Sequence, residues 1–182
     1  MKSSFFFLLV GAFTWIGCQQ SSSRTELLPG ETRLDRPVPE FHEPTLAGDS
    51  LASANFKGQI TVVNFWATWC GPCVVEIPEF VALQEEWKDR PFQFVGVSMD
   101  DAGFESIATF VSDFQMNYPQ IMDTGELADS FGGVWALPTT FVVDQNGIVL
   151  ASYLGLFPLS TLRDELDEMV KAIESGETSA SD

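Results

Sequence analysis

An α/β sandwich, with a mixed central sheet covered by helices, is the fold class this chain predicts. Three observations carry that reading. Ile60–Trp66 is strongly apolar and β-branched, Phe92–Ser98 is a second apolar run, and a stretch with helical spacing follows each. Two later strand-like runs flank Asp144-Gln145-Asn146-Gly147, where Asn-Gly is a hairpin signal. A final amphipathic stretch from Leu159 to Ile173 reads as a helix. Strands alternating with helices, then a hairpin and a last helix, build one layered domain.

The elements follow in order. Phe41–Leu46 and Ser50–Phe56 flank Ala47-Gly48-Asp49 and read as a hairpin. Ile60–Trp66 is the first buried strand, and Gly71 to about Lys88 is a helix with Pro78 as a kink. After the strand Phe92–Ser98, the span Asp101–Phe114 has helical spacing at Phe104, Ile107, Phe110, Val111 and Phe114. Asn117-Tyr118-Pro119 breaks that pattern, and Gln120–Met122 is a short strand. Asp123 with Glu126 three residues on reads as the cap of a short helix to Phe131, which Gly132-Gly133 ends. Thr139–Val143 and Ile148–Leu154 are the hairpin strands.

Residues 69–73 read Trp-Cys-Gly-Pro-Cys. Two cysteines two residues apart can close a small disulfide ring, and a dithiol that opens and closes can pass two electrons. The motif falls where a buried strand turns into a helix. Cys70 then lies near the helix N-terminus, where unpaired N–H groups and the helix dipole favour the thiolate that attacks disulfides. Cys73, one turn in, is expected to be the more buried, resolving thiol. A zinc site needs four ligands, whereas this chain has no second such pair and a single histidine, His42. A static structural disulfide is the other bland reading, and Pro72 with the strand-to-helix setting favours redox chemistry over it. No metal and no cofactor is expected.

The 182 residues suit one domain, and hydrophobic content of 45% is ordinary. Net charge is −17, from 9 basic and 26 acidic residues. That excludes nucleic acid as a partner, because little could neutralise phosphates. Acid is concentrated from Asp164 to Asp182, in a solvated helix face and tail.

Met1-Lys2-Ser3-Ser4 precedes an apolar run from Phe5 to Gly17, shorter than the roughly 20 residues a spanning helix needs but suited to a signal-peptide core. It ends Trp15-Ile16-Gly17-Cys18, followed by Gln19-Gln20-Ser21. A small residue directly before a cysteine, at the end of a leader, resembles a bacterial lipobox, with Trp15 where Leu is usual. The resemblance implies cleavage before Cys18 and lipidation of Cys18. The expected organisation is therefore a lipoprotein-type signal peptide at 1–17, a tether at 18–38, the domain at 39–174 and a disordered acidic tail at 175–182. The domain would work outside the cytoplasm, on a bacterial membrane.

The stretch Val62-Val63-Asn64-Phe65-Trp66-Ala67-Thr68-Trp69-Cys70-Gly71-Pro72-Cys73 resembles the thioredoxin superfamily. Glu76 and Pro78 after it resemble the TlpA/ResA-like, membrane-tethered branch, related to the AhpC/TSA proteins. Ala136-Leu137-Pro138-Thr139-Thr140-Phe141 resembles that branch's second signature. The resemblance implies a thioredoxin fold with an N-terminal hairpin and a central insert. It implies a cis Pro138 lying against a Cys70–Cys73 disulfide, with the backbone at Leu137, Pro138 and Thr139 open to an extended substrate segment. Trp69 would shield the thiol face. Trp135 fits the substrate rim and the core equally, and His42 has no chemical role.

Departures from the family pattern sharpen the expectation. Cytoplasmic thioredoxins carry a buried Asp where this chain has Asn64, and the resemblance to the ResA-like branch implies that an acid from the insert region can serve Cys73 instead. Glu76, Asp100, Asp101 and Glu105 are the candidates. The implied activity is protein-disulfide reduction by the Cys70/Cys73 dithiol. Disulfide-bearing protein clients, such as cytochrome c precursors, and a membrane electron donor are the implied partners. Two rivals share the fold: a peroxiredoxin-type thiol peroxidase, for which Thr68 is present but no arginine lies close in sequence, and a Sco-type copper-binding assembly protein, whose Cys spacing and downstream histidine this chain lacks.

Overall fold

The computed structural model describes residues 26–176. The leader, Cys18 and the last residues of the acidic tail lie outside them. Strands β1 (Glu31–Pro37), β2 (His42–Pro44) and β3 (Ser50–Ala52) come first, followed by a 3-10 turn at Ser53–Phe56. Then come β4 (Ile60–Trp66), α1 (Gly71–Glu86), β5 (Phe92–Ser98), α2 (Phe104–Asp113), β6 (Gln120–Met122) and α3 (Glu126–Ser130). The hairpin β7 (Thr139–Val143) and β8 (Ile148–Leu154) and the helix α4 (Leu159–Glu174) complete the chain. Among the described residues no helix is long and apolar enough to cross a membrane.

Six strands form one sheet in the order β1-β8-β7-β4-β5-β6, and β2 pairs with β3 in a separate hairpin. β4 runs parallel to β5, and β5 to β6, across helical crossovers, while β7 and β8 return antiparallel. Both faces of the sheet are covered, which is why β4 reads as a continuous apolar run. Side chains alternate along it. Ile60, Val62 and Trp66 face the cluster that holds Ile77, Phe80 and Leu83 of α1 with Leu162, Leu166 and Val170 of α4. Val63 and Phe65 face the other cluster, with Phe56, Leu127 and Phe131. Phe65 meets Phe131 and Phe141 edge-on at 5.4 and 5.7 Å, and Phe80 stacks on Phe94 at 4.6 Å.

Two expectations need correction. Residues 31–37, assigned to the tether, form the edge strand β1, paired antiparallel with β8 from Glu31 opposite Tyr153 to Pro37 opposite Ile148. An edge strand is held by backbone hydrogen bonds and needs few apolar side chains, so this polar segment carries little periodic signal; Leu34 packs on the core and Pro37 sits at the strand's end. The domain therefore begins before residue 39. The short helix α3 is capped by Gly125 and not by Asp123. Asp123 Oδ1 instead accepts the backbone N–H of Ala128, inside that helix, at 3.1 Å.

Candidate active site

β4 ends at Trp66, whose carbonyl accepts the N–H of Met99 at 2.8 Å, and the chain then turns through Ala67–Trp69 into α1. Cys70 N–H donates to the carbonyl of Ala67 at 3.1 Å, closing that turn. Cys70 is the N-cap of α1, Pro72 lies in the first turn, and Cys70 Sγ accepts the N–H of Cys73 at 3.3 Å. A sulfur at this position receives helix N–H groups in the way a capping oxygen does. Cys70 and Cys73 are joined as a disulfide, with Cα atoms 5.3 Å apart. Cys70 is 5% exposed and Cys73 0%.

The proline loop meets the motif through strand register. Thr139, the first residue of β7, pairs with Phe65, so Pro138 falls at the level of Trp66, where β4 leaves the sheet. The Leu137–Pro138 bond is cis. Thr139 Oγ1 donates to the carbonyl of Ala136 at 2.8 Å, and Gly155 N–H donates to the carbonyl of Pro138 at 2.9 Å. The loop is thereby fastened to the end of β8. Exposed apolar side chains include Trp69 before the motif, Val75 in α1, Trp135 before the proline loop, and Leu154 and Leu156 at and just after the end of β8. Trp135 is 90% exposed, which places it on the rim and not in the core. A Cβ on Gly133 would come within 2.8 Å of its indole, so the glycine lets that ring lie close over the backbone. Trp69, the expected shield, is itself 70% exposed.

One acid stands apart from the other three candidates. Glu76, one turn beyond Cys73 on the same face of α1, is 5% exposed. Its Oε1 accepts from Asn64 Nδ2 at 2.8 Å and its Oε2 from the backbone N–H of Phe157 at 2.9 Å. Burial pushes its carboxyl up to about 7; the two donors oppose that rise, and the charge of Glu79 adds to it. Asp100 is engaged elsewhere: it accepts from the backbone and hydroxyl of Thr68, at 3.0 and 2.6 Å, and from Ser98 Oγ at 2.9 Å. Asp101 and Glu105 are exposed. His42 is exposed on β2.

Three participants were not apparent in the sequence. Thr140 accepts the second hydrogen of Asn64 Nδ2 at 2.9 Å. Phe157 supplies its N–H from the turn after β8. Tyr118 is buried, its hydroxyl has no hydrogen-bond partner, and burial together with the Glu76 charge pushes its proton affinity up. Thr140 is set beside Asn64 by strand pairing, and the other two come from remote loops, so local sequence carries no signal for them.

The thiol-disulfide oxidoreductase ResA of Bacillus thuringiensis subsp. konkukian is 28% identical over 140 residues, covering 77% of this chain and 78% of that protein. The thiol:disulfide interchange protein DsbE of Pseudomonas fluorescens biotype C is 31% identical over 171 residues, covering 92% and 90%. Among solved structures, a thioredoxin-family thiol:disulfide interchange protein from Chlorobium tepidum TLS superposes with a TM-score of 0.68 at 33% identity, covering 75% of this chain and 97% of that one. The fold is that of thioredoxin, and the activity is that of a protein-disulfide oxidoreductase. The sequence model of the AhpC/TSA family matches residues 34–152, and the chain belongs to that family, among its thioredoxin-fold thiol-disulfide oxidoreductases.

Proposed function

We propose that the protein reduces disulfides of protein clients outside the cytoplasm, with Cys70 as nucleophile and Cys73 as resolving thiol. The observation that carries this reading is a cysteine pair at a helix N-terminus with a buried carboxyl one turn further on. The Cys70 thiolate attacks a client disulfide, forming a Cys70–client mixed disulfide and expelling the other client sulfur as a thiolate. Cys73 loses its proton to the Glu76 carboxylate and attacks Cys70 Sγ. The client leaves with two thiols, and two electrons have passed from the protein, which ends as the Cys70–Cys73 disulfide. A carboxyl that titrates near 7 can take and return a proton at neutral pH.

The ledge expected at Leu137, Pro138 and Thr139 narrows to the backbone of Leu137 for an extended client segment, since the Pro138 carbonyl is taken by Gly155 and Thr139 is already paired with β4 and β8. β7 enters its ladder only at Thr139, which supports an open backbone before it. Exposed Trp69 and Pro72 at the motif, with exposed Trp135 before the proline loop, support docking of a client there. The leader and Cys18 support an extracytoplasmic, lipid-anchored location on a bacterial membrane. An enzyme placed there needs a membrane protein to return electrons to the disulfide. The disulfides of cytochrome c precursors are the proposed clients, by analogy with the family. No cofactor enters the cycle.

Insulin-disulfide reduction by the purified domain tests the reading. Wild type is expected to be active, Cys70→Ser inactive, and Cys73→Ser to accumulate a mixed disulfide seen by mass spectrometry; an active Cys70→Ser sinks the assignment. The reduction potential of the pair, measured against glutathione buffers, tests the direction. A value near the strongly oxidising limit of about −120 mV would overturn the reductant role.

A further inference from the structure

Asn64 lies mid-strand on β4 with 1% exposure, and both hydrogens of its side-chain nitrogen are used. One goes to Glu76 Oε1 at 2.8 Å and the other to Thr140 Oγ1 at 2.9 Å. Asn64 and Thr140 are direct partners in the β4–β7 ladder, so register sets their side chains on one face. An amide can present nitrogen or oxygen by a half-turn about its last torsion. The ionised Glu76 carboxylate can only accept, so the nitrogen faces it, and Thr140 Oγ1 takes the second hydrogen. The other Glu76 oxygen is held by Phe157 N–H from the turn after β8. The carboxyl is thus gripped from β4, braced through β7, and gripped again from the β8–α4 turn.

We infer that Asn64 is a positioning residue for the exchange reaction: its amide, braced by Thr140, holds the Glu76 carboxyl in one orientation one turn beyond Cys73. The inference rests on the proposed role of Glu76 as acceptor of the Cys73 proton. The other groups bearing on Glu76 are Glu79 on α1, the Tyr118 hydroxyl from the segment before β6, and, one turn back on α1, the Cys73 sulfur, here held in the disulfide. None of these donates a hydrogen bond to the carboxylate in this structure. Asn64 therefore supplies the side-chain donor, and Thr140 braces it by accepting the amide's other hydrogen. Without the Thr140 acceptor the amide's second hydrogen is left buried and unpaired, the amide loses its brace, and the donor that favours the ionised Glu76 is weakened.

Thr140→Val is the decisive variant, because it is close to isosteric and Thr140 makes no hydrogen bond to Glu76. Thr140→Ser, which keeps the hydroxyl, is the control, and Asn64→Leu removes the donor itself. The Glu76 carboxyl is titrated by carbon NMR in each protein, and the pH dependence of insulin reduction is recorded beside it. Thr140→Val and Asn64→Leu are expected to raise the Glu76 midpoint by about one pH unit. The rate profile should move the same way, and Thr140→Ser should match wild type. A purely structural Asn64 would cost melting temperature and leave both midpoints in place. An unmoved midpoint in Thr140→Val, an equal shift in Thr140→Ser, or a moved midpoint with an unmoved rate profile overturns the inference. If Asn64→Leu does not fold, the two Thr140 variants still decide it. The NMR titration needs no exchange activity, so a wild type that cannot reduce insulin refutes the functional proposal and is recognised separately.

Discussion

Glu76 is the residue at which stability and the proposed chemistry oppose each other. Its folded-state midpoint, about 7, lies above the ordinary 4.5, so the folded protein binds the proton more tightly than the unfolded chain. Stability from this group is fully present below pH 4.5 and is lost as pH rises through 7. Glu76→Gln removes that dependence. The stability of the variant minus that of wild type, from urea unfolding at a series of pH values, is expected to grow between pH 4.5 and 7 and then level off. The growth is on the order of 3 kcal/mol. A flat difference would show that Glu76 is not buried as described. The two cysteines were legible because their spacing is local, a strand end and a helix start, while Glu76 was one of four candidate acids until burial singled it out. Thr140 and Phe157 were not legible, because they lie 76 and 81 residues beyond the side chains they serve.

Among the elements, β4 and β5 were legible because burial on both faces leaves mostly apolar residues, with Thr61, Asn64 and Ser98 as the buried polar exceptions. The contact between β5 and β6 has a more specific requirement. A Cβ on Gly96 would fall 2.1 to 2.8 Å from the amide of Gln120, and that amide accepts the Trp66 indole N–H at 3.0 Å. Gly96→Ala should displace Gln120 and leave a buried indole N–H unpaired. The expected cost is about 2 kcal/mol. Denaturant unfolding followed by tryptophan fluorescence checks it, and a change below about 0.5 kcal/mol would show that Gln120 relocates freely. α1 tolerates Pro78 in its interior, where the missing N–H leaves the Val74 carbonyl without its helical donor. β1 escaped prediction for the opposite reason to β4. Its residues Glu31-Thr32-Arg33-Leu34-Asp35-Arg36-Pro37 are chosen for an exposed edge, and an edge looks like a linker when only side-chain hydropathy is read.

For the whole molecule, β1 completes the sheet at its β8 side. A protein beginning at Val38 would leave β8 as an open edge with unpaired backbone groups and uncover Leu34's packing site. It is expected to lose at least about 2 kcal/mol, roughly 4–8 °C in melting temperature, and to self-associate. Calorimetry and sedimentation check this; an unchanged melting temperature would restore residues 31–37 to the tether. The cations on the far side of the fold have a structural use. Arg90 bonds Asp167 at 2.6 Å and Glu174 at 2.8 Å, lies over the Trp87 ring at 4.9 Å, and so ties the α1–β5 connection to α4. By itself the sequence determined the layered α/β fold, the buried strands and the dithiol at the head of a helix. Each of these is written in neighbouring residues, as periodicity or as short spacing. The tertiary structure alone decided which acid lies beyond Cys73, what orients it, and that the sheet begins at β1. Those depend on hydrogen bonds between strands and loops far apart in the chain, and such bonds leave no periodic mark on either partner.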